Sequence, residues 1–137
     1  MRELKLLIDV AVAGALFGLQ MHKRKEVRKV PRYMIQATPT PQNVAALLQN
    51  PEDRTEAVRR VLEAAGCKLE QYYNSFAEGT SFVIADIPDE ANLDALMATF
   101  FAGGGVTSIR ATPIKTASES VDVYQRAASL AYRPPGK

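Results

Sequence analysis

Tryptophan is absent from this sequence, and cysteine and histidine occur once each, as Cys67 and His22. A lone cysteine excludes an internal disulfide and any multi-cysteine metal site. It suits a reducing compartment, so the cytoplasm is the expected location. A lone histidine excludes His-rich zinc chemistry and leaves no second imidazole to act as a base. No metal and no cofactor is expected. An excess of one charge is missing too: 17 basic residues against 15 acidic ones give a net +2, which by itself predicts no nucleic-acid partner. No GxGxxG or P-loop pattern appears, so the usual phosphate cradles are excluded.

What is there amounts to one domain and an extension. The 137 residues are 47% hydrophobic and 23% charged, a globular balance of a size that builds one core. Residues 1–29 hold seven basic residues (Arg2, Lys5, Lys23, Arg24, Lys25, Arg28, Lys29) against Glu3, Asp9 and Glu26, a local +4 that leaves −2 for the rest. The boundary is therefore set at 1–30 for an apolar and basic helical extension and 31–137 for the folded domain.

Along the domain, Arg32 to Thr38 reads as a strand closed by a proline turn. Thr40 is placed to cap a short helix with Pro41 in its first turn and Val44 to Leu48 in its body. Asn50-Pro51 repeats that grammar, with Asp53 three residues on, ahead of a helix whose Val58, Val61, Leu62 and Ala65 share one face. Glu56 and Arg60 are expected to pair on its solvent side, and Gly66 to end it. Period two then takes over. Cys67 to Phe76 and Thr80 to Ile87 form a hairpin around Ala77-Glu-Gly79. Asp89 caps a helix with Leu93, Leu96, Met97 and Phe100 on its inner face, and Gly103-Gly-Gly105 ends it. Val106 to Ile114 is a fourth strand, and Pro113 suits it to an edge. Thr116 to Glu119 forms a capping box before a last helix faced by Val123, Tyr124, Ala127 and Ala131.

The order β-α-β-β-α-β with right-handed crossovers predicts an α+β, ferredoxin-like domain. It has a four-stranded antiparallel sheet, both main helices on one face, an extra C-terminal helix and an N-terminal helical extension. Strict alternation turns Ile35, Leu69, Val83, Ala85 and Ile109 towards the helices. The opposite face then displays Met34, Tyr72, Phe76, Phe82 and Ile84 among Gln36, Ser108 and Arg110. A face open to water should be mostly polar. One this apolar wants a cover, and the economical cover is a second copy of the chain. Homodimerisation, or a higher oligomer, through Met34, Tyr72, Phe76, Phe82 and Ile84 is the expectation.

Several segments resemble the GYD-domain family of small bacterial α+β domains. They are Pro31-Arg-Tyr-Met-Ile-Gln-Ala37, Asn50-Pro-Glu-Asp-Arg-Thr-Glu-Ala-Val-Arg59, Ala65-Gly-Cys-Lys-Leu-Glu70, Phe76-Ala-Glu-Gly79, Ile87-Pro-Asp89 and Ala131-Tyr-Arg-Pro-Pro135. The resemblance runs from about Pro31 to Pro135. It implies membership of the dimeric α/β-barrel group, in agreement with the apolar second sheet face, and it brings no settled activity. One departure stands out: where the family has the Gly-Tyr-Asp of its name, this chain reads Gly79-Thr80-Ser81. The turn glycine stays, while the aromatic ring and the carboxylate are gone.

Candidate chemistry is sparse. Tyr33, Gln36, Tyr73, Ser81 and Arg110 are the candidate ligand-binding residues for an unidentified small molecule, weighed against tyrosines that serve packing alone. Asp86 and Arg110 form a cross-strand ion pair if register allows. Cys67 follows a helix C-terminus, where the dipole discourages a thiolate, and reads as a buried structural residue. Ser81 lacks a base, and no catalytic residue is assigned.

The extension carries an apolar stretch from Leu6 to Met21, interrupted by Asp9 and containing Gly14-Ala-Leu-Phe-Gly18. Sixteen residues at about 1.5 Å each reach about 24 Å, short of the ~30 Å hydrocarbon core. The positive charge follows the stretch instead of preceding it, against a signal peptide. Three readings stay open: a packing helix, a peripheral anchor on a membrane surface, or sequence upstream of the domain proper. The expected function is a self-associating or ligand-binding module. The alternatives are a cofactor-free oxygenase or isomerase with a pocket near Tyr33, Tyr73 and Arg110 between sheet and helices, and a domain tethered through its first thirty residues.

Overall fold

The structure is a computed structural model that describes residues 30–136. The readings placed on residues 1–29, including the anchor, the GxxxG contact and the helical extension, lie outside the described residues. Contacts divide the chain after Lys115.

In the unit ending at Lys115, the elements are β1 (Arg32–Pro39), α1 (Pro41–Gln49), α2 (Thr55–Ala64), β2 (Lys68–Ser75), β3 (Thr80–Asp86), α3 (Glu90–Ala102) and β4 (Val106–Ile114). The four strands form one antiparallel sheet in the order β2-β3-β1-β4, the ferredoxin-like arrangement, with Pro113 on an edge strand. Leu62 of α2 and Leu96 of α3 are fully buried in one cluster with Ile35, Leu69, Val83, Ala85 and Ile87. Both long helices therefore cover the same side of the sheet. Burying a side chain of this size stabilises by roughly 1.5–3 kcal/mol, so this layer holds the unit together.

Local chemistry explains most boundaries. Thr40 Oγ1 accepts from Asn43 N–H at 3.1 Å and opens α1, and Asp89 Oδ1 accepts from Asn92 N–H at 2.9 Å and opens α3. At the end of α2, Cys67 N–H donates to Leu62 O at 2.8 Å and Gly66 N–H to Glu63 O at 3.0 Å, a Schellman closure in which Gly66 takes φ +78°.

Three local expectations need correction. Asn50 does not cap α2: its N–H donates back to Ala46 O at 2.9 Å and closes α1, and helix resumes only at Thr55. Pro51 keeps Asn50 out of the helical region. The turn falls to Asp53, whose Oδ1 accepts from Thr55 N–H at 2.9 Å and Thr55 O–H at 2.6 Å, bonds that hold its carboxyl below the usual range. On the solvent side of α2, Glu56 pairs with Arg59 one turn on, rather than with Arg60.

The third correction moves more. Leu69 stands opposite Ala85, but the next β2 residue opposite β3 is Gln71, facing Ile84. Glu70 is an extra residue, a β-bulge, and every β2 side chain after it changes face. Tyr72, expected on the outer face, stands opposite Val83 and packs against the core. Tyr73 takes the outer position, opposite Phe82.

Beyond Lys115, Thr116 N–H donates to Glu119 Oε2 at 3.2 Å and Glu119 N–H to Thr116 Oγ1 at 3.1 Å, the expected capping box. Helix α4 (Ser120–Ala128) carries an Asp122–Arg126 ion pair of 2.8 Å. The face expected of it is not a buried one: no residue of α4 is buried, Tyr124 is 70% exposed, and Ala131 lies past the helix end.

Candidate functional site: the outer face of the sheet

Register lays out the sheet face opposite α2 and α3 in rows running β2-β3-β1-β4. The first row is Lys68, Asp86, Arg32 and Ile114. The second is Gln71, Ile84, Met34 and Thr112, and the third is Tyr73, Phe82, Gln36 and Arg110. Past it, Ser75 stands opposite Thr80 and Thr38 opposite Ser108. The centre is thus apolar (Ile84, Met34, Phe82) and extends to Tyr73, which is 57% exposed with its hydroxyl donating to Gln71 Oε1 at 3.0 Å. Of the residues expected at an interface, Met34, Phe82 and Ile84 stand together here. Tyr72 has gone to the helix side. Phe76 lies past the end of β2 in the hairpin turn, 90% exposed.

The five candidate ligand residues are split between the two faces. Gln36, Arg110 and Tyr73 share one outer row, with Gln36 directly opposite Arg110. Tyr33 points to the helix side and packs on the core, and Ser81 shares that parity, its hydroxyl donating to Asn74 Oδ1 at 2.8 Å. A pocket between sheet and helices formed by Tyr33, Tyr73 and Arg110 is therefore not assembled, because Tyr33 is on the opposite face from the other two. The Asp86–Arg110 ion pair is not formed either. Asp86 stands opposite Arg32, two rows from Arg110, and Arg32 Nε donates to Glu70 Oε2 at 3.3 Å.

Beside the apolar centre lies an open groove of about 400 Å³, lined by Gln36, Thr38, Thr80, Ser108, Ile109 and Arg110. Ser108 O–H donates to Thr38 Oγ1 at 3.2 Å and ties β4 to β1 along its wall. Thr38, Thr80 and Ser108 were not singled out from sequence. Two of them are two residues from Gln36 and Arg110 on the same strands, so alternation alone would have found them.

Conventional catalytic groups are elsewhere. Cys67 is buried; burial, and then the charge of Asp89, push its thiol up from the ordinary value. Among the described residues, no three His, Cys, Asp or Glu side chains gather as metal ligands, and no helix is long and apolar enough to cross a membrane.

The GYD domain family model matches residues 33–122, from the first strand of this sheet into α4. The chain belongs to the GYD-domain family. No curated protein and no solved structure matches it. Within this GYD domain, the three positions that read Gly-Thr-Ser now have places. Gly79 makes the hairpin turn at φ +63°. Thr80 lines the outer groove, and Ser81 faces the other way onto Asn74.

Proposed function

We propose that this GYD domain is a non-catalytic homo-oligomerisation module whose copies pair through the outer faces of their sheets, in a reducing compartment. The observation that carries this reading is the contiguous cluster of Met34, Ile84, Phe82 and Tyr73, on the sheet face opposite α2 and α3. Covering four such side chains from each of two copies offers roughly 1.5–3 kcal/mol apiece. For Met34, Ile84 and Phe82, already half-buried, about half of that remains to be gained. The sum is comparable with an association cost of roughly 4–15 kcal/mol, a balance close enough for a single charge to decide. The polar rim of Lys68, Asp86, Arg32 and Arg110 fits an interface with an apolar centre.

The test is the solution mass of the full chain by light scattering. Twice the 15.0 kDa chain mass, or a higher multiple, is expected at micromolar concentration. Phe82→Glu should return it to one chain with an unchanged circular dichroism spectrum. A native chain that stays monomeric, or a Phe82→Glu variant that stays paired, overturns the reading.

A further inference from the structure

We infer that the groove beside the apolar centre binds a small polyhydroxy monocarboxylate, with Arg110 holding the carboxylate. Arg110 is exposed on edge strand β4, and among the described residues no carboxylate pairs with it. The acids on its face, Asp86 and Glu70, stand at the far end of the sheet, and Glu70 is engaged by Arg32. A guanidinium is a planar fork matched to two carboxylate oxygens, and here the fork has no carboxylate partner among the described residues.

The other lining groups decide the rest of the ligand. Gln36, directly opposite Arg110, supplies an amide that can both donate and accept. Thr38 keeps a hydroxyl donor, while Ser108 and Thr80, whose O–H groups donate to Thr38 Oγ1 at 3.2 Å and Glu78 O at 3.3 Å, offer acceptor oxygens to ligand hydroxyl groups. A single cation matches a single negative charge better than a doubly charged phosphate. Ile109 borders the groove only through its backbone, since its side chain packs on the core, so the lining offers no aliphatic surface to a hydrophobic ligand. The volume of about 400 Å³ falls at the small end of ligand sites, and the groove is open to solvent.

The experiment titrates the full-length, ¹⁵N-labelled protein with gluconate, with sorbitol as the uncharged counterpart and inorganic phosphate as the rival anion. Gluconate should shift the Gln36 side-chain amide, the Arg110 Nε–H and the Thr38 and Ser108 amides, while sorbitol leaves them in place. Arg110→Gln should weaken binding about tenfold or more, and Arg110→Lys should fall between, since a point charge replaces the fork. The inference fails if gluconate moves nothing up to about 50 mM. It also fails if Arg110→Gln binds as the native chain does, or if phosphate binds better than gluconate. This outcome is separable from sheet pairing. A monomer that binds gluconate removes only the pairing, and an indifference to gluconate that persists in protein diluted to its single-chain mass, where no partner covers the groove, removes only the ligand.

Discussion

Gly66 sits where three demands meet. The Schellman closure of α2 needs its φ of +78°, and an added Cβ would stand 2.8 Å from Asn92 Nδ2. That nitrogen donates to Ala65 O at 2.7 Å, so α3 caps α2 through the same spot. Left-handed backbone costs a non-glycine residue roughly 1–2 kcal/mol. Gly66→Ala should therefore lose about 2–3 kcal/mol in urea unfolding, the strain plus the disturbed Asn92 bond. Gly79→Ala, with φ +63° and open space around it, should lose about 1 kcal/mol. Equal losses at the two sites would contradict this account. Cys67, beside Gly66, makes a pH prediction. Its folded thiol is raised by burial, so the stability it contributes is full below the unfolded thiol value. That contribution is lost as pH rises through the folded value. Native protein should react with iodoacetamide far more slowly at neutral pH than protein in denaturant, as followed by mass spectrometry.

At the scale of elements, one residue in β2 decides which tyrosine matters to the monomer. The bulge at Glu70 puts Tyr72 on the core and Tyr73 in solvent. Tyr72→Ala should cost about 2–4 kcal/mol of unfolding free energy, and Tyr73→Ala should stay within about 0.5 kcal/mol for a monomeric background such as Phe82→Glu. Strict alternation predicts the reverse order. Alternation was correct for β1, β3 and β4, where Ile35, Val83 and Ile109 face the helices as their spacing says. It failed in β2 because a bulge leaves no mark in an eight-residue strand of mixed polarity. The caps divide in the same way. Thr40 and Asp89 were legible because each needs only its own side chain and the amide three residues on. Asn50 was not, because its N–H was already taken by Ala46 O, and a backbone bond already in use is invisible to residue type.

For the whole molecule, the two sheet faces do different work: one is sealed by Leu62 and Leu96, and the other presents Met34, Ile84, Phe82 and Tyr73. Sheet pairing would make the thermal midpoint rise with protein concentration, and Phe82→Glu should abolish that dependence. The candidate ligand residues show how far sequence reached. Gln36 and Arg110 meet across β1 and β4, whereas Tyr33 and Ser81 belong to the other face, and Thr38, Thr80 and Ser108 complete the groove. Residue type and spacing by themselves determined the strands, the two covering helices, their order and hence the ferredoxin-like sheet, because those follow from hydrophobic period and from turn and cap chemistry acting over a few residues. Tertiary structure alone decided which β2 side chains face which way, which polar groups converge and which helix stays unburied. Those outcomes depend on register between strands distant in sequence, where a single extra residue reverses a face.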